Sequence, residues 1–190
     1  MSSEHVGSVA RAHLASLTGL LSELGLPAAQ AYYTGCVRTR AAVGFVAVED
    51  GAVRGFVLGS AHPGRLKQEV FRRNRMATVA ALARGIVTRP SSLLWLLRSV
   101  RGPDEGTYNR QTAELTYLAV DVARRDAGVG RSLVEAFTRA MRESGVTSYE
   151  LSVDEDNQGS IRFYEAQGFH RIGRYREFGR IHYRYRLDRT

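Results

Sequence analysis

Residues 112–145 read TAELTYLAVDVARRDAGVGRSLVEAFTRAMRESG, and the rest of the chain is organised around them. Leu115 to Val120 is short and β-rich, the signature of a strand. From Val129 onward, Leu133, Val134, Phe137, Ala140 and Met141 fall at helical spacing and make one apolar face. Between the two lies Arg125-Asp126-Ala127-Gly128-Val129-Gly130, a strand-to-helix turn with two glycines two apart. Glycine lets the backbone come close to a ligand, and the first N–H groups of the following helix sit unbonded at its positive dipole end. That corner suits a phosphate or diphosphate; a tight turn needing two small residues explains it as well. It is not a P-loop, because no Gly-Lys-Ser/Thr follows, and it is not the dinucleotide fingerprint, because position 133 is leucine.

A second block lies about thirty residues on, Asn157-Gln158-Gly159-Ser160-Ile161-Arg162-Phe163-Tyr164-Glu165-Ala166-Gln167-Gly168-Phe169. Together the two blocks resemble the GCN5-related N-acetyltransferase (GNAT) superfamily. Its acetyl-CoA motif, Gln/Arg-x-x-Gly-x-Gly/Ala between a strand and a helix, is matched by Arg125, Gly128 and Gly130, and the second block looks like the family's next helix and turn. Two motifs in the right order are far more specific than either alone. Many bacterial members carry Pro, then Arg-Gly, ahead of the two glycines, whereas Val122 and Asp126 stand there in this chain. An Asp126 side chain turned to solvent leaves a cradle of backbone amides intact; turned inward, it weakens cofactor affinity.

The resemblance implies an α/β (α+β) GNAT fold. Its mixed central sheet is split between strands four and five and flanked by helices, with a helical insertion at about residues 62–110. It implies acetyl-CoA as cofactor. Leu118, Ala119 and Val120 of strand four would run along the pantetheine arm, with the Val120 amide as the candidate donor to the thioester oxygen. Arg125, Asp126, Ala127, Gly128, Val129, Gly130, Arg131 and Ser132 would surround the diphosphate. Asn157, Ser160, Phe163 and Tyr164 would close the cofactor site from the second block.

Composition bounds the rest. With 190 residues and 44% hydrophobic content the chain can bury a substantial core as one domain, residues 1–190. No apolar run approaches the roughly 18 residues of a membrane span. The N-terminal MSSEHVGSVARAH has no basic segment leading into an apolar one, and Cys36 is the single cysteine, which excludes an internal disulfide. These features suit a cytoplasmic protein. The net charge of +8 and pI near 10.1 favour anionic partners, of which CoA is one. Nearly all of that charge is arginine, with Lys67 the only lysine, a bias that a GC-rich genome also produces.

In chain order, Val9, Leu14, Leu17, Leu20, Leu21 and Leu24 predict one amphipathic helix over 5–25, or two broken near Gly19. The family's first strand is therefore short or missing. A second helix is expected from Pro27 to about Arg40. Gly44–Glu49 and Val53–Ser60 flank Asp50-Gly51 as a hairpin, the family's strands two and three. A basic helix begins near Leu66, another spans Ala77–Ile86, a third runs Leu93–Val100, and 102–106 is a turn or mobile loop. Arg65, Lys67, Arg72, Arg73 and Arg75 are a solvated face or a patch for a phosphorylated substrate; Trp95 lies in a segment that packs on the core, on a second subunit or over the substrate. Tyr149–Val153 is a strand, and the block after Asn157 a short helix. Phe169–Tyr175 and Ile181–Leu187 form a last hairpin whose His182, Arg184 and Arg186 alternate outward.

Acetyl transfer to an amine needs a neutral amine, a stabilised oxyanion and a proton for the leaving thiolate. By resemblance Tyr164 is the general acid. Glu114, eleven residues before Arg125, stands where the histone-acetylating branch carries its catalytic glutamate, and through a water it would deprotonate the substrate. A carboxylate there could equally bind the cationic amine or face solvent. His62 and Tyr117 are weaker alternatives. The histidines show no metal-ligand spacing. Cys36 is remote from both motifs, so direct transfer in a ternary complex is expected rather than an acetyl-enzyme. The expected acceptor is a primary amine of a small metabolite, an amino sugar or secondary-metabolite amine. The alternatives are a peptide or protein amine, or a non-catalytic CoA fold that binds nucleic acid or membrane through its basic surface; the intact motifs argue against the last. Residues 93–97 and the tyrosine-rich last strand would suit a homodimer.

Overall fold

The structure, a computed structural model, describes residues 1–88, 93, 97, 105–106, 112–121, 127–177 and 179–188. The Asp50-Gly51 hairpin forms as expected. β1 (Val43–Glu49) and β2 (Ala52–Ser60) pair antiparallel from Glu49↔Ala52, with Asp50 at φ 51° and Gly51 at φ 72°. Two successive positive φ values match the right-handed twist of the flanking strands. No strand precedes the hairpin among the described residues; only the Met1 ammonium donates to the Gly44 carbonyl at 3.0 Å.

The sheet runs in the order β1-β2-β4-β5-β7-β6-β3. Its other members are β3 (Glu105–Gly106), β4 (Glu114–Val120), β5 (Ser148–Asp154), β6 (His170–Glu177) and β7 (Arg180–Asp188). Glu105 and Gly106, expected in a turn, pair instead with Arg176 and Tyr175 at the edge of β6. β4 is laddered to β2 along its whole length, with Thr116 left over as a bulge between Tyr117 and Leu115. On its other edge β4 meets its parallel neighbour β5 only at Glu114↔Glu150, where the Glu150 amide donates to the Ala113 carbonyl at 2.9 Å. Past that pair the strands share no ladder, so the sheet is split from Thr116 toward Val120.

Helices cover both faces. On one, α6 (Val129–Glu143) and α7 (Gln158–Ala166) bury Leu133, Phe137, Met141, Ile161 and Tyr164 against Leu115, Tyr149, Leu151 and Val153. Full burial of each such side chain contributes about 1.5–3 kcal/mol. Gly59 of β2 lets α6 close in, since a Cβ there would meet the Phe137 ring at 2.6 Å. On the other face α1 (Val6–Ser16), α3 (Leu26–Val37) and α4 (Pro63–Arg73) cover Phe56, Leu58 and Ala119. The N-terminal helix is the broken variant: α2 (Leu20–Leu24) starts after Gly19 at φ 123°. The second helix stops at Val37, short of Arg40.

The insertion is helical over Pro63–Arg73 and Arg75–Thr88 and at Leu93 and Leu97, and forms a strand at Glu105–Gly106. α4 and α5 (Arg75–Thr88) meet at Asn74, whose Nδ2 donates to the Ala31 carbonyl at 2.6 Å and fixes the corner on α3. Arg65, Lys67, Arg72, Arg73 and Arg75 are all exposed, with Arg65 and Arg73 sharing Glu69, as a solvated face should be. Leu93 and Leu97 are helical and exposed, while Trp95 and the rest of the expected third helix lie outside the described residues. No helix among the described residues is long and apolar enough to cross a membrane.

Candidate active site

The corner between β4 and α6 is built by its two glycines for different reasons. Gly128 caps α6 at φ 77°, a left-handed conformation that costs a residue with a Cβ roughly 1–2 kcal/mol. Gly130 lies under the Phe163 ring; a Cβ there would come within 3.2 Å of Phe163 and 3.6 Å of Val120. The second sequence block is thus seated directly on the first. Because a glycine caps α6, its capping residue offers no side chain to the first-turn amides, in contrast to α7, where Asn157 Oδ1 accepts from the Ser160 amide at 3.1 Å. Ala127, Gly128, Arg131 and Ser132 are exposed, and Val129 and Gly130 partly so, which leaves the corner open. Arg125 and Asp126 lie outside the described residues.

Beside this corner runs the unpaired edge of β4. Ala119 is buried toward α3, while Leu118 and Val120 pack toward α6, so side chains are turned to the two faces and the backbone is presented along the split. The corner and the split are continuous through Val120, the last residue of β4 and a neighbour of Gly130. This geometry fits a ligand with a diphosphate at one end and an extended amide-bearing arm at the other.

Tyr164 is 8% exposed and packs edge-on against Phe163 and Phe169, one residue from the ring over Gly130. Burial, with a smaller contribution from Tyr149, pushes its pKa well up, so the phenol stays protonated at neutral pH. Asn157 and Ser160 are joined to each other as helix cap and first turn.

Glu114 does not face solvent. It is 7% exposed, and its Oε1 accepts from Arg184 Nη1 at 2.6 Å. Arg184, expected to point outward, is fully buried: its Nε donates to Glu150 Oε2 and its Nη1 to Ser152 Oγ, both at 2.8 Å. The alternation of β7 is real, since Tyr183, Tyr185 and Leu187 pack toward α6 and α7. The opposite face is not solvated at Arg184, because Glu114 of β4 and Glu150 of β5 meet there, and Arg184 together with Arg186, which reaches Glu150 Oε1 at 2.7 Å, neutralises them. Nothing in the alternation signals this; an alternative cue was the pair Glu114 and Glu150 at equivalent starts of neighbouring strands.

The same face carries His182, whose Nδ1 lies 2.8 Å from Asp154 Oδ1 while its ring stacks on Tyr175 at 5.1 Å. His62 is exposed at the start of α4. Tyr117 abuts His13 and Tyr32, and burial raises its pKa, with Glu114 and Glu177 among the lesser causes. Cys36 is buried, and burial pushes its thiol up to about 12.

Comparison with known proteins places this architecture. A crystal structure described as an acetyltransferase superposes with a TM-score of 0.67 at 20% identity, covering 100% of this chain and 97% of that one. The ribosomal-protein-alanine N-acetyltransferase of Brucella melitensis superposes at 0.61 with 15% identity, covering 99% and 96%. In sequence, the mycothiol acetyltransferase of Streptosporangium roseum is 38% identical over 68 residues, 36% of this chain and 20% of that protein. The match therefore spans about a fifth of that relative's length. The family model for the acetyltransferase (GNAT) family matches residues 13–169, well over half of the sequence, and the chain belongs to that family, whose acyl donor is acetyl-CoA.

Proposed function

We propose that this protein transfers an acetyl group from acetyl-CoA to a primary amine of a small metabolite, directly and within a ternary complex. The observation that carries this is the continuity of an uncapped, exposed helix start at Gly128 with the split between β4 and β5. Amides of Val129 to Arg131 would hold the diphosphate, the Ser132 amide being bonded to the Gly128 carbonyl, with the dipole of the 15-residue α6 adding to them. The edge of Leu118, Ala119 and Val120 would hold the pantetheine arm and offer the Val120 N–H to the thioester oxygen. Phe163 shapes the wall. The bound donor supplies the activated acetyl carbon; the chain supplies position and protons.

Tyr164, kept protonated by burial, donates toward the sulfur as the thiolate leaves. Glu114, its charge met by Arg184, fixes the closed end of the split rather than meeting the acceptor ammonium. Cys36 cannot serve as an acyl carrier, since a thiol with a pKa of about 12 is hardly ionised at neutral pH. A relative named for mycothiol supports a small acceptor over a protein one. The test is thiol release from acetyl-CoA against a panel of amino sugars, diamines and N-terminal peptides. Turnover with the small amines is the expected result. Turnover with peptides alone overturns the acceptor class, and salt-sensitive DNA binding with no thiol release for any amine overturns the enzyme.

A further inference from the structure

We propose that His182, oriented by Asp154, is the base that deprotonates the acceptor ammonium; the inference rests on the transfer reading above. Three features separate His182 from Glu114. The first is hydrogen bonding. His182 Nδ1 sits 2.8 Å from Asp154 Oδ1, and the other carboxylate oxygen of Asp154 is taken by Arg180 at 2.8 Å. Nδ1 therefore donates, and Nε2 carries the lone pair. The hydrogen bond from His182 holds the Asp154 carboxyl below the usual range, so the orienting group is an anion.

The second is the state of that lone pair. Nε2 is buried and has no hydrogen-bond partner among the described residues, although the side chain keeps 17% of its surface open. A buried acceptor left unsatisfied is unfavourable, and a donor on a ligand removes that cost. Glu114, by contrast, already accepts a charged hydrogen bond from Arg184. The third is place. Glu114 stands at the one pair that closes the split, whereas His182 pairs with Asp154 at the last position of β5, the open end. His182 lies on the same face of β7 as Arg184, and its partner Asp154 ends β5, the strand that forms one side of the split. Its ring is held flat against Tyr175; Asp154 touches it, Arg180 lies on Asp154, and Glu177, Arg184 and Glu114 are the charged groups that act on Tyr175.

Nε2 accepts one ammonium proton and later releases it to solvent. The freed amine nitrogen bonds the acetyl carbon as its C–S bond breaks. Tyr164 protonates the departing sulfur and regains a proton from the nitrogen of the new amide.

The experiment is the pH dependence of kcat/KM for an acceptor whose ammonium titrates outside the range measured. His182→Gln should lower kcat/KM at least 100-fold and abolish the acidic limb, and imidazole should restore part of the rate to His182→Ala. Asp154→Asn, removing a positioning residue, should move the limb with a smaller loss. An unchanged thermal shift with acetyl-CoA shows the donor site intact in each variant. In wild-type protein the ring-carbon NMR titration of His182 should coincide with the kinetic limb, which needs no variant to fold. A His182→Gln enzyme that keeps more than a tenth of the rate and its limb, or a ring that titrates elsewhere, overturns the assignment alone. Wild-type protein that binds acetyl-CoA and releases no thiol with any amine overturns the transfer reading, and the base with it.

Discussion

Acid should destabilise this protein through one histidine that takes no part in the proposed chemistry. His13, on α1, is 1% exposed, edge-on to Tyr117 at 4.8 Å, with Nδ1 2.8 Å from the Tyr33 hydroxyl. Its Nε2 is buried without a partner among the described residues. Burial holds its pKa down at about 4, against 6.5 for an ordinary imidazole. The sign follows from proton counting. Between those two values the unfolded chain binds a proton at this position and the folded chain does not, so stability falls as pH drops from about 6.5 to 4 and then levels off. At about 1.4 kcal/mol per decade the interval amounts to about 3 kcal/mol. For a chain of 190 residues that is roughly 6–12 °C in Tm. Asp154 and Glu69, whose carboxyls are held low by hydrogen bonds from His182 and Thr39 respectively, contribute stability that is lost only at lower pH, as each is protonated through its depressed value. The assay is urea unfolding of wild-type and His13→Phe protein at intervals from pH 7 to 4. Phenylalanine keeps the ring but not the titration, so the wild-type stability should fall by about 3 kcal/mol relative to the variant's as pH drops from 6.5 to about 4. Parallel curves across that interval refute the reasoning.

Arg184→Met should leave Glu114 and Glu150 buried without their shared cation and cost about 3–5 kcal/mol by urea unfolding; a loss below about 1 kcal/mol contradicts the neutralising role. Tyr164→Phe should lower kcat by 10-fold or more, on the order expected for a lost acid, with KM for acetyl-CoA nearly unchanged, and equal turnover would remove the acid. Cys36 should resist iodoacetamide in native protein at pH 8 and react at once in denaturant, because its thiol ionises only near 12; fast native alkylation contradicts that burial.

The parts of this fold that sequence made plain are those governed by local chemistry. Asp50-Gly51 could adopt two positive φ values, Gly19 could break a helix, and the period of β7 set which residues met the α6 side. The Gly128–Gly130 turn was legible as a motif, but the reason for Gly130 was not, since the ring above it comes from Phe163 in a distant block. Arg184 is the sharpest difference. A lone arginine in an alternating strand reads as solvated, and only the arrival of two carboxylates from β4 and β5 makes its burial tolerable. Glu114 was placed by motif alignment, which carries no information about its partner. Likewise the His182–Asp154 contact is a cross-strand pairing, Asp154↔His182, between residues twenty-eight positions apart that no local pattern joins.

Whether α6 begins in a diphosphate site is decided by calorimetric titration of acetyl-CoA into wild-type and Gly128→Glu protein. The substitution forces a Cβ into the left-handed conformation at φ 77° and sets a carboxylate beside the first-turn amides. Wild type should bind saturably, and the variant should lose at least tenfold in affinity, about 1.4 kcal/mol or more. Equal affinities would place acetyl-CoA elsewhere and contradict a diphosphate site there.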